Sequence, residues 1–202
     1  SNLKNIQELE TCADKIMCIA FLLGLNGLKI MNKFITLIGS RKTPRSLIPV
    51  IKNYCRILVD LGYTMRSGGA DGFDTFAESS FDLYGGQKEI YLPWPSFNNN
   101  SSPLYGVSNA ARKLAEKYHT KWNSLSEKAR LLHSRNTYQV LGSKLISPSE
   151  FLICWTPSGK EVGGSRTAIV LAKDFNVSVY NLANEKDCLA LDNYLEMAKI
   201  CV

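Results

Sequence analysis

Three short glycine-bearing segments restrict this chain more than any other feature. Gly39-Ser40-Arg41, Ser67-Gly68-Gly69-Ala70-Asp71-Gly72 and Gly163-Gly164-Ser165-Arg166-Thr167 each follow a strand-like run and each open a helix-like one. Glycine lets the backbone take positive φ and approach a ligand closely. The first N–H groups of the helix that follows point outward with partial positive charge, so anions collect there. A single Gly-Gly pair more often makes only a tight turn. Three such turns, two carrying Arg41 and Arg166 and the other preceded by Arg66, predict a phosphate-holding crevice.

The rest of the chain fits around these turns. Strand-like runs occur at Lys33–Ile38, Tyr63–Arg66, Glu89–Leu92, Phe151–Trp155 and Val177–Asn181. Helical patterns fall at Pro44–Asp60, Asp71–Tyr84, Ser165–Lys173 and Lys186–Lys199, the first with Leu47, Val50, Ile51, Tyr54, Ile57, Leu58 and Leu61 at three-to-four spacing. Such alternation predicts an α/β fold, a doubly wound, mainly parallel sheet with helices on both faces. Ligands of these sheets bind beyond the carboxyl ends of the strands, where all three turns lie. The first, second and fourth strands are expected near the middle of the sheet.

At 202 residues the chain suffices for one sizeable core. A net charge of +6 and a pI near 9.0 suit an anionic ligand. Much of that charge sits in one segment, Asn109–Asn136, where Arg112, Lys113, Lys117, Lys121, Lys128, Arg130 and Arg135 face only Glu116 and Glu127. It is expected to form one or two helices and is either a solvated face or a polyanion contact. Six cysteines without C-x-x-C spacing read as reduced thiols of a cytoplasmic protein, and no metal site is expected. The longest apolar run, Ile16–Leu25, is half the length that a membrane span needs, about twenty residues, and reads as a packed helix. Residues 1–30 are expected to be an N-terminal helical extension, and 31–202 the ligand-binding domain, with an irregular insertion at about 93–133 marked by Pro93, Pro95, Asn98-Asn99-Asn100 and Pro103.

Taken together, the motifs resemble those of the SLOG superfamily, the Rossmann-like group that includes DprA and the LOG phosphoribohydrolases, and within it the YspA/YpsA-related branch. The opening strand with Gly39-Ser40-Arg41, the segment Gly68-Gly69-Ala70-Asp71-Gly72-Phe73-Asp74, the pair Arg135-Asn136 and the segment Gly163-Gly164-Ser165-Arg166-Thr167-Ala168 follow the family order over Asn32–Leu182. Two departures stand out. Asp71 replaces the arginine usual in that branch, and Ala168, Ile169 and Val170 stand where the LOG enzymes carry a catalytic glutamate.

Backbone N–H groups of Gly39, Ser40, Gly68, Gly69, Gly164 and Ser165 are the expected phosphate contacts. Arg41, Arg135 and Arg166 would add charge-assisted bonds, roughly twice as strong as neutral ones. Ser67, Asp71, Asn136, Gly163 and Thr167 complete the expected ligand-binding set. Asp74 is placed to accept from ribose hydroxyls or to cap its helix, and shares a helix face with Glu78. The expected role is binding of a nucleotide or nucleotide-derived metabolite, such as an ADP-ribose or cyclic nucleotide signal, with no cofactor. Two alternatives stay open. A phosphoribohydrolase-like N-glycosidase would draw on Asp71, Asp74 or Glu161. DprA-like binding of single-stranded nucleic acid would combine the basic segment with Tyr91, Trp94, Phe97, Tyr105, Tyr118 and Trp122. A homo-oligomer is compatible with the sequence, and a membrane partner is not expected.

Overall fold

A computed structural model describes residues 33–200 of the chain. The Ile16–Leu25 run, the N-terminal extension and Cys12, Cys18 and Cys201 lie outside them. The elements are β1 (Phe34–Leu37), α1 (Ile48–Asp60), β2 (Thr64–Ser67), α2 (Phe73–Leu83), β3 (Lys88–Ile90), α3 (Asn109–Tyr118), α4 (Glu127–Leu141), β4 (Phe151–Cys154), α5 (Arg166–Asp174), β5 (Ser178–Asn181) and α6 (Glu185–Ile200).

All five strands are parallel, in the order β3-β2-β1-β4-β5. The first, second and fourth strands are therefore the three central ones, as expected. Ile35 lies opposite Met65, and Leu37 opposite Ile153. This is a Rossmann-like α/β fold.

The buried run Phe151-Leu152-Ile153-Cys154 shows why both faces are covered. Alternate side chains of a strand point to opposite faces. Phe151 and Ile153 join a core with Ile51, Tyr54 and Leu58 of α1, Phe73, Ala77 and Phe81 of α2, and Leu191 and Leu195 of α6. Leu152 and Cys154 join a second core with Val140 and Leu141 of α4 and Ala168, Ile169, Leu171 and Ala172 of α5. Fully burying one such large side chain stabilises the fold by about 1.5–3 kcal/mol, so the two cores fix the layering. Pro49 occupies the first turn of α1, where no backbone donor is lost. Gly62, at φ 75°, lets the chain leave that helix.

The basic segment forms two helices rather than a single face. Helix α4 runs on to Leu141 and is buried at every residue from His133, between the sheet, α3 and α5. The expected insertion thus ends in the middle of a core helix. Between Pro93 and Ser108 the chain is irregular apart from a bridge, Leu92 to Tyr105, and a short 3-10 turn, Phe97–Asn99, and Ser96, Asn98 and Asn99 take left-handed backbone angles. Cys55, Cys154 and Cys188 are free thiols. Among the described residues no helix is long and apolar enough to cross a membrane, and no cluster of three or more potential metal ligands occurs.

Candidate ligand-binding crevice

Strands β1 and β4 lie side by side, and the chain leaves them toward opposite edges of the sheet. Their carboxyl ends form the switch point at which a crevice opens in such sheets. The turn after β1 is built for close approach. A Cβ at Gly39 would lie 2.5 Å from the Cβ of Phe73 and 2.9 Å from the Trp155 carbonyl. The Ser40 N–H donates to that same Trp155 carbonyl at 2.9 Å, which ties the turn to the end of β4. Gly72, at φ 82°, packs against Ser40, where a Cβ would meet the carbonyl oxygen at 2.5 Å.

Between these ends lies a cavity of about 450 Å³. One wall is Gly39, Ser40, Arg41 and Lys42, and another is Pro157, Val162, Gly163, Gly164 and Ser165. The third is a single face of α4, Ala129, Leu132, His133 and Asn136, at positions i, i+3, i+4 and i+7. Asp74 and Arg135 supply its buried end. Arg41, Lys42 and Arg135 outnumber the one acidic lining residue, Asp74, so the cavity favours anions.

Asp74 is 1% exposed, and its two carboxylate oxygens accept from the Gly39 N–H at 3.1 Å and the Gly68 N–H at 3.2 Å. It therefore braces the first and second turns against each other. Burial pushes its pKa up to about 6, against the lowering effect of Arg135 and of the Gly39, Ala70 and Gly68 amides. Burial likewise brings Arg135 down to about 10, with Asp74 opposing the shift and Arg41 adding to it. The Arg135 guanidinium donates from Nη1 to the Gly68 and Tyr91 carbonyls, the latter at 3.0 Å, and lies 5.7 Å from the centre of the Phe97 ring. Its Nε has no partner among the described residues.

Of the residues singled out in the sequence, Gly39, Ser40, Arg41, Asp74, Arg135, Asn136, Gly163, Gly164 and Ser165 meet at the cavity. The others lie elsewhere. Ser67 is buried and donates to the Leu37 carbonyl at 2.7 Å. The Gly69 carbonyl and the exposed Asp71 carboxylate both accept from Asn98, at 3.1 and 2.9 Å. Arg166 donates to the Tyr118 carbonyl at 3.3 Å, and Thr167 is bonded to His133. Glu161 is exposed and paired with Lys173. Glu78 does share a helix face with Asp74, but it is bonded to Lys88 and Asn100, and the raised Asp74 owes its shift to burial. Arg66 is paired with Glu89 at 2.8 Å and lies over the Phe34 ring, away from the cavity.

Six lining residues carry no motif: Lys42, Ala129, Leu132, His133, Pro157 and Val162. The signal for two of them was present, because Leu132 and His133 lie one turn before Asn136 on the same helix face.

The basic segment spends much of its charge internally. Arg112 pairs with Glu127, Lys117 with Asp174, and Arg130 donates to the Trp122 and Asn123 carbonyls, while Arg135 serves the cavity. Among the described residues, Lys113, Lys121 and Lys128 make no ion pair. Tyr91, Tyr118 and Trp122 are buried, Tyr91 against Tyr138, and among the described residues no aromatic side chain besides the His133 imidazole lines the cavity.

No family profile and no curated protein matches this sequence. Among solved structures, the backbone is similar to the molybdenum cofactor carrier protein MCP of Chlamydomonas reinhardtii, with a TM-score of 0.50, 16% identity and coverage of 81% of this chain and 88% of that one. It is also similar to DNA processing protein A, DprA. For the Streptococcus pneumoniae protein the TM-score is 0.46 at 14% identity, over 81% of this chain and 56% of that one. For the Helicobacter pylori protein it is 0.47 at 19% identity, over 74% and 64%. This chain thus spans less than two thirds of either DprA. At such identities the likeness is one of Rossmann-type fold.

Proposed function

We propose that this chain is a SLOG-type protein of the YspA/YpsA-related kind that binds a nucleotide or nucleotide-derived metabolite in the crevice and holds it without turnover. The observation that carries this reading is the joint cavity itself. The turns after β1 and before α5 face one another across a space of about 450 Å³ whose charged lining is mainly cationic. Pockets for small ligands commonly have this size and this mixture of apolar wall and a few convergent polar groups. A phosphate would lie against Arg41, Lys42 and the amides of Gly164 and Ser165, at the start of α5. The fold shared with a protein described as a cofactor carrier is in keeping with a holding role.

A hydrolytic reading has one observation in its favour: Asp74, alone of the three candidate carboxylates, lines the cavity and has a pKa of about 6. Against it, both of its oxygens already accept backbone N–H groups. Single-stranded nucleic-acid binding, named for the H. pylori DprA, would fall to Lys113, Lys121 and Lys128, since the other cations of the segment are engaged.

A thermal-shift panel of ADP-ribose, cyclic nucleotides and nucleoside phosphates tests the proposal. A ligand at 100 times its Kd adds about 2.7 kcal/mol of stability. Arg41→Ala should weaken that shift. Absence of any shift across the panel overturns the reading, release of free base on incubation replaces it with the enzyme, and steeply salt-dependent binding of oligonucleotides alone replaces it with the nucleic-acid binder.

A further inference from the structure

Along α4 the cavity lining changes character step by step. Arg135 and Asn136 present charged and amide groups, His133 follows one turn earlier, and Leu132 and Ala129 complete the face. The order of a phosphate, a sugar and a base is the same: anion, neutral polar, apolar. We propose that His133 reads a ribose hydroxyl of the bound ligand, with Thr167 pinning its ring and Asn136 sharing the contact. This rests on the crevice being a nucleotide site and assigns the part of the ligand that meets α4.

The imidazole is 9% exposed, and its Nδ1 lies 2.9 Å from the hydroxyl of Thr167, in the first turn of α5. Thr167 is buried and does not line the cavity, so it acts through His133. The other ring nitrogen, Nε2, bonds to no described residue and is not among the enclosed polar atoms that lack a partner, and His133 is one of the residues that line the cavity. Asn136 is arranged alike. Its Nδ2 donates to the Gly164 carbonyl at 2.8 Å, its Oδ1 bonds to no described residue, and Asn136 also lines the cavity. Residues at i and i+3 on a helix have Cβ atoms about 5–6 Å apart, a span that neighbouring sugar hydroxyls can bridge.

His133 meets that group as a neutral ring. Burial pushes its pKa down to about 4, helped by His119, whose ring centre is 4.4 Å away, and by Arg135. Across the cavity stand Arg41 and Lys42, with Asp74 the one acidic group. A neutral imidazole beside an amide oxygen carries no charge to hold an anion, and in the Nε2–H tautomer the pair offers a hydroxyl both a donor and an acceptor.

The test uses the full chain and titration calorimetry with four probes: ribose 5-phosphate, 2-deoxyribose 5-phosphate, adenosine 5′-monophosphate and its 2′-deoxy form. One hydrogen bond of ordinary strength gives the ribo probes about tenfold tighter binding in the native chain. His133→Ala and Thr167→Val should bring that ratio below about twofold, while His133→Gln, whose amide reaches the Nε2 position, keeps part of the preference. Equal binding of ribo and deoxy probes by the native chain overturns the inference while the nucleotide reading stands. His133→Ala weakening both adenosine probes equally moves His133 to the base and also overturns it. Failure of every probe to bind removes the nucleotide reading as well.

Discussion

The turn after β2 and the turn before α5 both pair glycine with glycine, and the two pairs meet opposite surroundings. At Gly68 a Cβ would lie 1.7 Å from Nη1 of Arg135, so the space is filled by the protein's own guanidinium. At Gly164 a Cβ would meet nothing within 4 Å. One turn is a socket already occupied by an arginine, and the other is open to the cavity. The lesson concerns what an absent side chain means: glycine makes room, and the occupant is decided elsewhere in the chain, here by α4.

The contrast can be broken most forcefully at the carboxylate behind the filled turn. Asp74→Ala takes the acceptor from the Gly39 and Gly68 N–H groups and the negative charge from the neighbourhood of buried Arg135, and should cost about 2–6 kcal/mol in urea denaturation. Gly68→Ala overlaps the guanidinium and should cost about 1–3 kcal/mol, the usual range for overpacking. Gly164→Ala, by contrast, should change stability by no more than about 0.5 kcal/mol and yet reduce the nucleotide-induced thermal shift. If Gly68→Ala and Gly164→Ala proved equally destabilising, the distinction between filled and open turns would be lost.

A pH series sharpens the comparison. Asp74 has a folded pKa of about 6 against an ordinary 3.8, so between those values the folded chain holds more protons and stability falls as pH rises. His133 has a folded pKa of about 4 against an ordinary 6.5, so the unfolded chain holds more protons and stability rises over nearly the same window. The two slopes oppose each other. His133→Gln should expose a decline between pH 4 and 6, and Asp74→Asn a rise between pH 4 and 6.5, each approaching about 1.4 kcal/mol per pH unit, the slope for one proton. A native profile as steep as either variant's would contradict the opposed pair.

Much of the fold was legible from local pattern. The run Phe151–Cys154 is apolar on both sides because it is central, and α1 shows its buried face in Ile51, Tyr54, Cys55 and Leu58. The basic segment was less so, because Arg112, Arg130 and Arg135 look alike in sequence and differ only in what packs beside them. For the crevice, the glycines and Arg135-Asn136 marked its ends. Ser67, Asp71, Arg166 and Thr167 belong to the same motifs but face Leu37, Asn98, Tyr118 and His133 instead. A motif fixes a backbone path, whereas side-chain direction depends on neighbours far away in sequence. His133 escaped notice for the converse reason: it carries no motif and gains its place from the turn of α4.

Asp74 clamps two backbone loops with a single carboxylate, and that has a practical corollary. The half of the crevice it holds is rigid before anything arrives, so little ordering entropy is lost there on association. Loaded and empty forms should superimpose along Gly39 and Gly68 and diverge around Gly163 and Gly164. Backbone order parameters measured with and without ligand would therefore change on one lip of the crevice and stay constant on the other.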